Sequence, residues 1–370
     1  MFDNLKTILS QSGSENEEPS VLGVDISPSS IKIVQLRRRK GQAVLETYGE
    51  IALGPYAGFE IGQATNLPPE KIAEALLDVI REAKVTTKDC GLSIPFTSSL
   101  ISILEVPTID EEKLKAIIPI EARKYIPVPI SEVYLDWHLI PNDPVDQKMG
   151  IPRQQKSEVM IVAIHKETIS RYQSIVEKSN LKTSFFEIEI FSTVRAVLDR
   201  GIAPVMIIDL GYSSTKLYIV EHGVVRRSHN VNRGIKDISQ ALAASLNISF
   251  AEAEKLRKEV NLKRTQSEDD HIASIASVGL NYIFSEAERA LADYQKRQTK
   301  AISELVFAGA GALLPGLAEL AKTRFGIETT IADPFKKIET PAFLENVLKE
   351  VGPEFAVAIG LALRRLEEIE

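Results

Sequence analysis

The order of apolar and polar positions predicts the same succession of three strands and a helix twice in this chain. In each case, three runs rich in β-branched residues, separated by short polar turns, precede an apolar stripe at helical spacing. The first set comprises strands at 21–26, 31–38 and 43–53 and a helix at 69–84, and the second comprises strands at 204–210, 215–221 and 224–231 and a helix at 234–246. Because helices and strands alternate after each set, we expect an α/β fold with two lobes, each containing a mixed sheet flanked by helices.

Two segments interrupt this plan and predict an inserted subdomain in each lobe. Residues 106–157 are rich in proline around one predicted helix at 110–125, and residues 250–298 are helical and charged. The other predicted elements are strands at 90–94, 99–105, 134–140, 158–164, 182–188, 304–308 and 327–332 and helices at 166–179, 189–200, 316–325 and 353–368. The predicted domain bounds are a flexible arm at 1–20, a first lobe core at 21–91 and 161–200 with an inserted subdomain at 92–160, and a second lobe core at 201–233 and 302–370 with a helical insertion at 234–301.

Composition and charge narrow the class of protein. The 370 residues carry a net charge of −7, and the dense basic tract at 37–40 lies in a predicted hairpin turn, so we expect no nucleic-acid partner. Cys90 is the sole cysteine, which excludes an intrachain disulfide. The sequence shows neither a bilayer-spanning apolar stretch nor a signal peptide. We therefore expect a cytoplasmic protein.

One hairpin motif occurs twice. The segments VLGVDISPSSIKIVQ (21–35) and VMIIDLGYSSTKLYI (205–219) share an aspartate at the end of an apolar run, a polar turn with a Ser-Ser pair, and a lysine that opens the next run. Successive backbone N–H groups in such a turn form a concavity that binds anions. Two copies, half a protein apart, predict a phosphate chain held between two related lobes.

The aspartates of this motif, Asp25 and Asp209, permit two interpretations. A phosphate ligand repels a carboxylate unless Mg²⁺ or a metal-bound water lies between them, which makes both residues candidate catalytic and metal-binding groups. In the alternative, each aspartate holds its own turn by hydrogen bonds to the backbone. The duplication favours the phosphate and metal interpretation.

Three further segments carry candidate ligand groups. Glu187 and Glu189 lie at the end of a predicted strand, just before a helix. One of them could orient the water that attacks a γ-phosphate. In the alternative, the acid lies at the helix N-terminus only because it interacts favourably with the helix dipole. The segment GAGALLPG (309–316) joins a buried strand to a helix, and its glycines would allow close approach of the backbone to an adenine ring. Lys255 is either a solvated helix residue or a contact to ribose and phosphates.

Five strings, taken in order, resemble the nucleotide motifs of the actin-like ATPase superfamily. They are GVDISPSSIK, FEIEIFSTVRA, IIDLGYSSTK, ELVFAGAGALLPG and FAVAIGLALR, which match the first phosphate loop, the first connecting helix, the second phosphate loop, the adenosine loop and the second connecting helix. Within this superfamily, the chain is similar to the PilM family of type IV pilus assembly proteins, which is related to FtsA. EEKLKAIIPIEARKYIPVPISEVYLDWHLI, AEAEKLRK and IADPFKKIE resemble that family's insertion, its nucleotide-closing helix and its NPF turn.

The resemblance implies that ATP or ADP binds with Mg²⁺ between the lobes. Glu189 matches the acidic position that orients metal or water, and Asp25 and Asp209 would hold Mg²⁺ through water. The nucleotide contacts that the resemblance implies are Ser29, Ser30, Lys32, Asp209, Gly211, Ser213, Ser214, Thr215, Gly234, Lys255, Gly309 and Gly311.

The resemblance also implies a partner. In the family, the cytoplasmic N-terminal peptide of the inner-membrane protein PilN is held between the first lobe's core and the inserted subdomain, which corresponds to 92–160 here. Such a protein is peripheral to the inner membrane through its partner, and it links the alignment complex to the pilus motor, whose ATPases are further candidate partners. Self-association stays open.

The first phosphate loop departs from the family pattern. Ser27 and Pro28 stand where the family has Gly-Ser, whereas the second loop keeps Gly211. Proline has no N–H, so we expect the second loop to hold most of the nucleotide and ATP turnover to be slow or negligible. Two other functions stay open, namely an FtsA-like membrane-associated filament-forming ATPase and a small-molecule kinase of the same superfamily.

Overall fold

The computed structural model describes residues 19–107, 111–140, 156–199, 201, 203–262, 268–297 and 300–369, and almost all of the predicted arm at 1–20 lies outside these ranges. The strands are β1 (Ser20–Ile26), β2 (Ser30–Arg39), β3 (Gln42–Ala52), β4 (Asp89–Ile94), β5 (Ser99–Pro107), β6 (Val133–Leu139), β7 (Lys156–His165), β8 (Lys182–Ile188), β9 (Val205–Leu210), β10 (Thr215–Glu221), β11 (Val224–Val231), β12 (Glu304–Ala308) and β13 (Glu328–Ile331). The helices are α1 (Pro69–Glu82), α2 (Glu111–Ala122), α3 (Lys166–Lys178), α4 (Glu189–Val197), α5 (Ile235–Leu246), α6 (Phe250–Glu259), α7 (Glu268–Arg297), α8 (Leu317–Phe325), α9 (Glu345–Val351) and α10 (Ala356–Glu368).

Two five-stranded sheets share one topology within these described ranges. The first has the order β3-β2-β1-β4-β8 and the second the order β11-β10-β9-β12-β13. In both, an antiparallel three-stranded meander continues into two parallel strands on the far side of its first strand. The prediction of two α/β lobes with mixed sheets is therefore confirmed.

A third, antiparallel sheet with the order β5-β7-β6 is attached to the first lobe. Alternate residues of β7 point to opposite faces, as strand geometry requires. Val159, Ile161 and Ala163 pack with α2, and Met160, Val162 and Ile164 join the core of the first lobe. The residue bounds given above for the two lobe cores and the two insertions stay predictions.

Two helices carry the chain between the lobes and cross each other tightly. Helix α4 follows β8 and leads to β9, whereas α10 returns from the second lobe and packs on β1. A β-carbon at Gly360 of α10 would lie 1.9 Å from the carbonyl oxygen of Ser192 in α4, and one at Gly23 of β1 would lie 1.9 Å from that of Ala358. Glycine at both positions therefore allows backbone to touch backbone.

Two predicted helices end three residues earlier than expected. The helix predicted over 110–125 ends at Ala122, because a turn follows and Pro127 disfavours helical backbone in the residue before it. The helix predicted over 189–200 ends at Val197, where Leu198 adopts extended backbone. No helix in the ranges that the structure describes has both the length and the apolar character needed to cross a bilayer.

Candidate functional site

Both copies of the repeated motif form the same hairpin. Asp25 on β1 is paired with Lys32 on β2, and Asp209 on β9 is paired with Lys216 on β10. Strands β1 and β9 are the central strands of their sheets, so each aspartate ends a buried strand at the sheet edge where the turn begins. The two turns line one cleft of about 430 Å³.

Most of the predicted site residues line this cleft. They are Asp25, Ser29, Ser30, Lys32, Glu189, Asp209, Gly211, Ser213, Ser214 and Gly309. The cleft thus joins residues from both hairpins, from the start of α4 and from the turn after β12. The roles of these residues in binding a ligand stay predictions.

Four predicted residues lie outside the lining. Thr215 is buried and donates its hydroxyl to the carbonyl oxygen of Arg233 at 2.8 Å. A β-carbon at Gly234 would lie 2.4 Å from the carbonyl oxygen of Tyr212, so glycine lets α5 begin directly beneath the second loop. A β-carbon at Gly311 would lie 2.2 Å from the side chain of Leu210, and Lys255 is exposed on α6.

The first loop uses its polar groups mostly within the turn. The amide and hydroxyl of Ser27 both donate to the carbonyl oxygen of Ser30 at 2.9 Å, and the Ser30 amide donates back to the Ser27 hydroxyl at 3.1 Å. Pro28 has no N–H to offer. Within the loop, only the Ser29 amide donates to no acceptor among the described residues.

The second loop leaves more donors unengaged. Gly211 donates its amide to the carbonyl oxygens of Asp209 and Ser214, both at 3.1 Å, which closes the turn. The amides of Tyr212, Ser213 and Ser214 donate to no acceptor in the described part of the chain, and the buried hydroxyl of Ser213 has no partner there either. These three adjacent amides are donors that the second loop could offer to an anion, and the predicted phosphate contact stays a prediction.

The two aspartates are both held as poorly solvated carboxyl groups. Asp25 accepts a hydrogen bond from the hydroxyl of Ser93 at 2.7 Å. Burial, with a smaller contribution from the charge of Glu189, raises the pKa of Asp25 to about 6. Burial also raises the pKa of Asp209, although the ammonium of Lys216 opposes this shift. Neither carboxylate accepts a hydrogen bond from its own turn among the described residues, which argues against a turn-holding role.

Lys216 bridges two of the candidate carboxylates. Its Nζ atom lies 2.9 Å from Oε2 of Glu189 and 3.4 Å from Oδ2 of Asp209. Burial alone would lower the pKa of Lys216, but Asp209 and Glu189 raise it above its ordinary value. The lysine is therefore a fully charged cation inside the cleft.

The equivalent lysine of the first hairpin has different partners. Nζ of Lys32 lies 2.8 Å from Oε1 of Glu50 and 3.6 Å from Oε2 of Glu354, and it also donates to the Ser30 hydroxyl at 2.8 Å. Burial would lower the pKa of Lys32, but Glu50 and Glu354 raise it. Both hairpin lysines are thus charged and balanced by acids from other elements.

Several cleft residues escaped the sequence analysis. Arg257 and Lys258 of α6 line the cleft in place of Lys255, and helical phase is a signal that could have identified them. Tyr212 also lines it, and a β-carbon at Gly62 of the first lobe would lie 3.5 Å from the Tyr212 hydroxyl. Lys216, the second copy of Lys32, was recognisable from the repeat but was not among the predicted contacts.

The cleft suits a polyphosphate better than a directly ligated metal. Unengaged amides and hydroxyls lie beside two charged lysines, and these are the groups that bind phosphate oxygens. No three acidic, histidine or cysteine side chains among the described residues are grouped closely enough to form a metal-ligand set. Binding of a divalent ion at Asp25 and Asp209 through water stays a prediction.

Two lobes of matching topology, a pair of crossing helices between them, and paired hairpins lining the cleft define an actin-like ATPase fold. Known proteins identify the family more narrowly. The family described as Type IV pilus assembly protein PilM matches residues 23–366. The chain therefore belongs to the PilM family of type IV pilus assembly proteins.

Solved structures share the fold over nearly the whole chain. A chain of the PilM-PilN type IV pilus biogenesis complex is similar, with a TM-score of 0.77 and 21% identity, covering 94% of this chain and 98% of that one. The ethanolamine utilization protein EutJ from Carboxydothermus hydrogenoformans has a TM-score of 0.53 and 14% identity, covering 95% and 91%. MreB5 of Spiroplasma citri bound to AMPPNP has a TM-score of 0.51 and 11% identity, covering 96% and 97%.

Proposed function

We propose that this chain is a cytoplasmic, actin-like ATP-binding component of the type IV pilus assembly machinery. In this role it binds the N-terminal peptide of a PilN-like inner-membrane protein and links the alignment complex to the pilus motor, including its ATPases. Its attachment to the inner membrane is indirect, through that partner. Family membership supports the pilus assignment, and the cleft supports nucleotide binding.

The observation that carries the nucleotide proposal is the second loop. Its three adjacent unengaged amides, at Tyr212, Ser213 and Ser214, are matched by the charged ammonium of Lys216 beside them. A phosphate group would accept hydrogen bonds from these donors and would be attracted by the ammonium. MreB5 of Spiroplasma citri, which shares the fold, was solved with AMPPNP.

In this proposal, Mg²⁺ arrives with the phosphates and contacts Asp25 and Asp209 through water. Mg²⁺ commonly keeps several waters and binds through phosphates and one or two carboxylates. Bound in this way, the ion would neutralise phosphate charge in a cleft that is also lined by acidic side chains, among them Glu50, Glu254 and Glu354.

Calorimetric titration of the purified chain with ATP and with ADP, in the presence of Mg²⁺, tests the nucleotide proposal. We expect saturable binding of one nucleotide per chain, and we expect Gly211→Val to abolish it. A β-carbon at Gly211 would already lie 2.7 Å from the carbonyl oxygen of Ser214, so valine must distort the loop. A matched control is Gly41→Val, at a distant exposed hairpin turn. Valine at position 41 would also be strained by the left-handed backbone, but a β-carbon there would meet no atom within 4 Å. Absence of binding by the unmodified chain would contradict the proposal.

The partner site is proposed on the three-stranded sheet and its junction with the first lobe. Strand β6 is an edge of that sheet in the described chain, and Tyr134 and Leu139 on it are exposed. An exposed strand edge with apolar side chains is a surface on which an extended peptide can add as a further strand.

Hydrogen exchange tests the partner site. A peptide from the cytoplasmic end of a PilN-like protein should slow the exchange of amides in β5, β6 and β7, and a peptide of the same composition in scrambled order should not. Unchanged exchange in all three strands, at peptide concentrations that saturate binding, would place the partner elsewhere.

A further inference from the structure

The ammonium of Lys216 lies between two carboxylates that a divalent ion would otherwise join. Asp209 and Glu189 come from different elements, the end of β9 and the start of α4, and both approach the same Nζ atom. Their side chains are only 8% and 12% exposed, so water does not screen this charge cluster strongly.

The other lone pairs of these acids are also partly used by the protein. Oε1 of Glu189 accepts the backbone N–H of Phe96 at 2.7 Å, while its Oε2 faces Lys216. Both oxygens of Glu189 therefore have a donor. A carboxylate oxygen has two lone pairs, so one that accepts from an N–H group can still approach a metal ion, but an ion between Asp209 and Glu189 would have to displace the Lys216 ammonium.

The first hairpin shows that this arrangement is not a necessary result of the motif. Lys32 occupies the same register position opposite Asp25 that Lys216 occupies opposite Asp209. Yet Lys32 forms ion pairs with Glu50 and Glu354. The bridge between aspartate and glutamate is thus a property of the second lysine.

We propose that Lys216 is a specificity-determining residue that takes the place of a protein-bound divalent ion between Asp209 and Glu189, so that the nucleotide-free chain binds no divalent ion there. This proposal concerns the site of the proposed function and rests on it for its biological meaning. Divalent ions then enter the cleft only together with a polyphosphate.

Phe96 and Lys216 also fix the position of the acid that would orient an attacking water. Glu189 is the candidate acid for orienting the attacking water, and such a residue needs an oxygen that can accept from that water. With Phe96 and Lys216 donating to its two oxygens, Glu189 is held in a fixed position as the acceptor of protein groups. Each oxygen keeps a further lone pair that can accept from a water, so Lys216 fixes the position of Glu189 without removing it as an acceptor.

Manganese titration of the nucleotide-free chain, followed by electron paramagnetic resonance of free Mn²⁺, tests the proposal directly. We expect the unmodified chain to leave millimolar Mn²⁺ free. Lys216→Met should take up about one Mn²⁺ per chain, with at least about tenfold higher affinity than the unmodified chain, because it leaves Asp209 and Glu189 without a counter-ion. Lys216→Arg retains the cation and should behave like the unmodified chain.

Lys322→Met is the matched control for loss of one ion-paired lysine. Lys322 pairs with Glu328 at 2.6 Å on the exposed surface. Its removal leaves one exposed carboxylate without its lysine partner, instead of two largely buried ones. This variant should bind no more Mn²⁺ than the unmodified chain. Thermal unfolding followed by circular dichroism verifies that each variant is folded.

Two results would overturn the proposal. One is stoichiometric Mn²⁺ uptake by the unmodified, nucleotide-free chain, a measurement that needs no variant to fold. The other is a folded Lys216→Met variant that gains no Mn²⁺ affinity. Because both are measured without nucleotide, they are independent of the ATP titration, whose failure would contradict the proposed function alone.

Discussion

Glu187 and Glu189 lie two residues apart, yet their side chains have different surroundings. Glu189 faces the cleft, whereas Glu187 receives a two-pronged ion pair from Arg195 at 2.7 and 2.8 Å and a third bond from Arg364 at 2.9 Å. Arg195 belongs to α4 and Arg364 to α10, so Glu187 joins the two crossing helices electrostatically. Of the two acids, Glu187 therefore has a structural environment and Glu189 a ligand-facing one.

The Glu187 cluster predicts a pH-dependent stability. Burial would raise the pKa of Glu187, but Arg195 and Arg364 lower it below its ordinary value of 4.5. Folding therefore releases protons in acid. The stabilisation is fully present above pH 4.5 and is lost as the pH falls through the lower folded-state pKa.

Glu187→Gln should lower the free energy of unfolding by about 3 kcal/mol at pH 7, because it removes the carboxylate that Arg195 pairs with and leaves the buried Arg364 paired with Glu368 alone. The difference from the unmodified chain should shrink in acid. Urea denaturation at several pH values measures both effects, with Glu345→Gln, at an exposed ion pair with Lys349, as a control of little effect. A difference that does not change with pH would show that the charge of Glu187 is not the cause.

The unequal loops predict unequal roles for the two aspartates in nucleotide binding. Asp209 adjoins the loop with three unengaged amides, and Asp25 adjoins the loop with one. We expect Asp209→Ala to weaken ATP binding more than Asp25→Ala, because more of the phosphate contacts depend on the second loop. Calorimetry with both variants decides the order, and the reverse order would show that the first loop dominates despite its proline.

At the scale of elements, the crossing of α4 and α10 depends on the absence of a side chain. Alanine ordinarily stabilises a helix by about 1 kcal/mol relative to glycine. Gly360→Ala should instead lower the free energy of unfolding by about 3 kcal/mol, because its β-carbon would overlap the backbone of Ser192. The sign of the change separates these two effects.

Gly279→Ala is the matched control for this helix substitution. Its β-carbon would lie 3.0 Å from a side-chain carbon of Ile238, which can move. Thermal unfolding should therefore show a small change at Gly279 and a large loss at Gly360. Equal effects at both positions would mean that the close crossing is not important for stability.

The sequence was sufficient to predict the elements and the repeated hairpin, because both rest on local patterns. The register of Asp25 with Lys32 follows from the length of the turn, and it recurs at Asp209. The partner of Lys216 was not predictable, since Glu189 is distant in sequence and meets it only when the two lobes assemble. The sequence analysis chose Lys255, whereas Lys258, one helical turn further along α6, lines the cleft. The pattern identifies a helix more reliably than it identifies which face of the helix points into the cleft.

At the scale of the whole molecule, the last described helix is committed to the core. Ala358, Ile359, Leu361 and Ala362 of α10 are fully buried. An amphipathic helix that anchors a protein in a bilayer needs a free apolar face. The apolar face of α10 is not available for this role.

Sedimentation with vesicles therefore separates the pilus proposal from the filament alternative. With ATP and anionic vesicles but no partner, the protein should stay in the supernatant, and a membrane-anchored PilN-like peptide should bring it into the vesicle pellet. Pelleting without the partner would instead support an FtsA-like filament that binds membranes itself.

The contact of Gly360 with Ser192 also constrains how the two lobes can move. Where backbone touches backbone, a sliding movement would cause immediate overlap, but rotation about the point of contact would not. Rotation about this contact is therefore the movement that the crossing would allow, with the contact as its pivot. For any rotation about that pivot, displacement increases with distance from it. A ligand that changes the angle of the cleft slightly would then move the outermost surfaces of the molecule furthest.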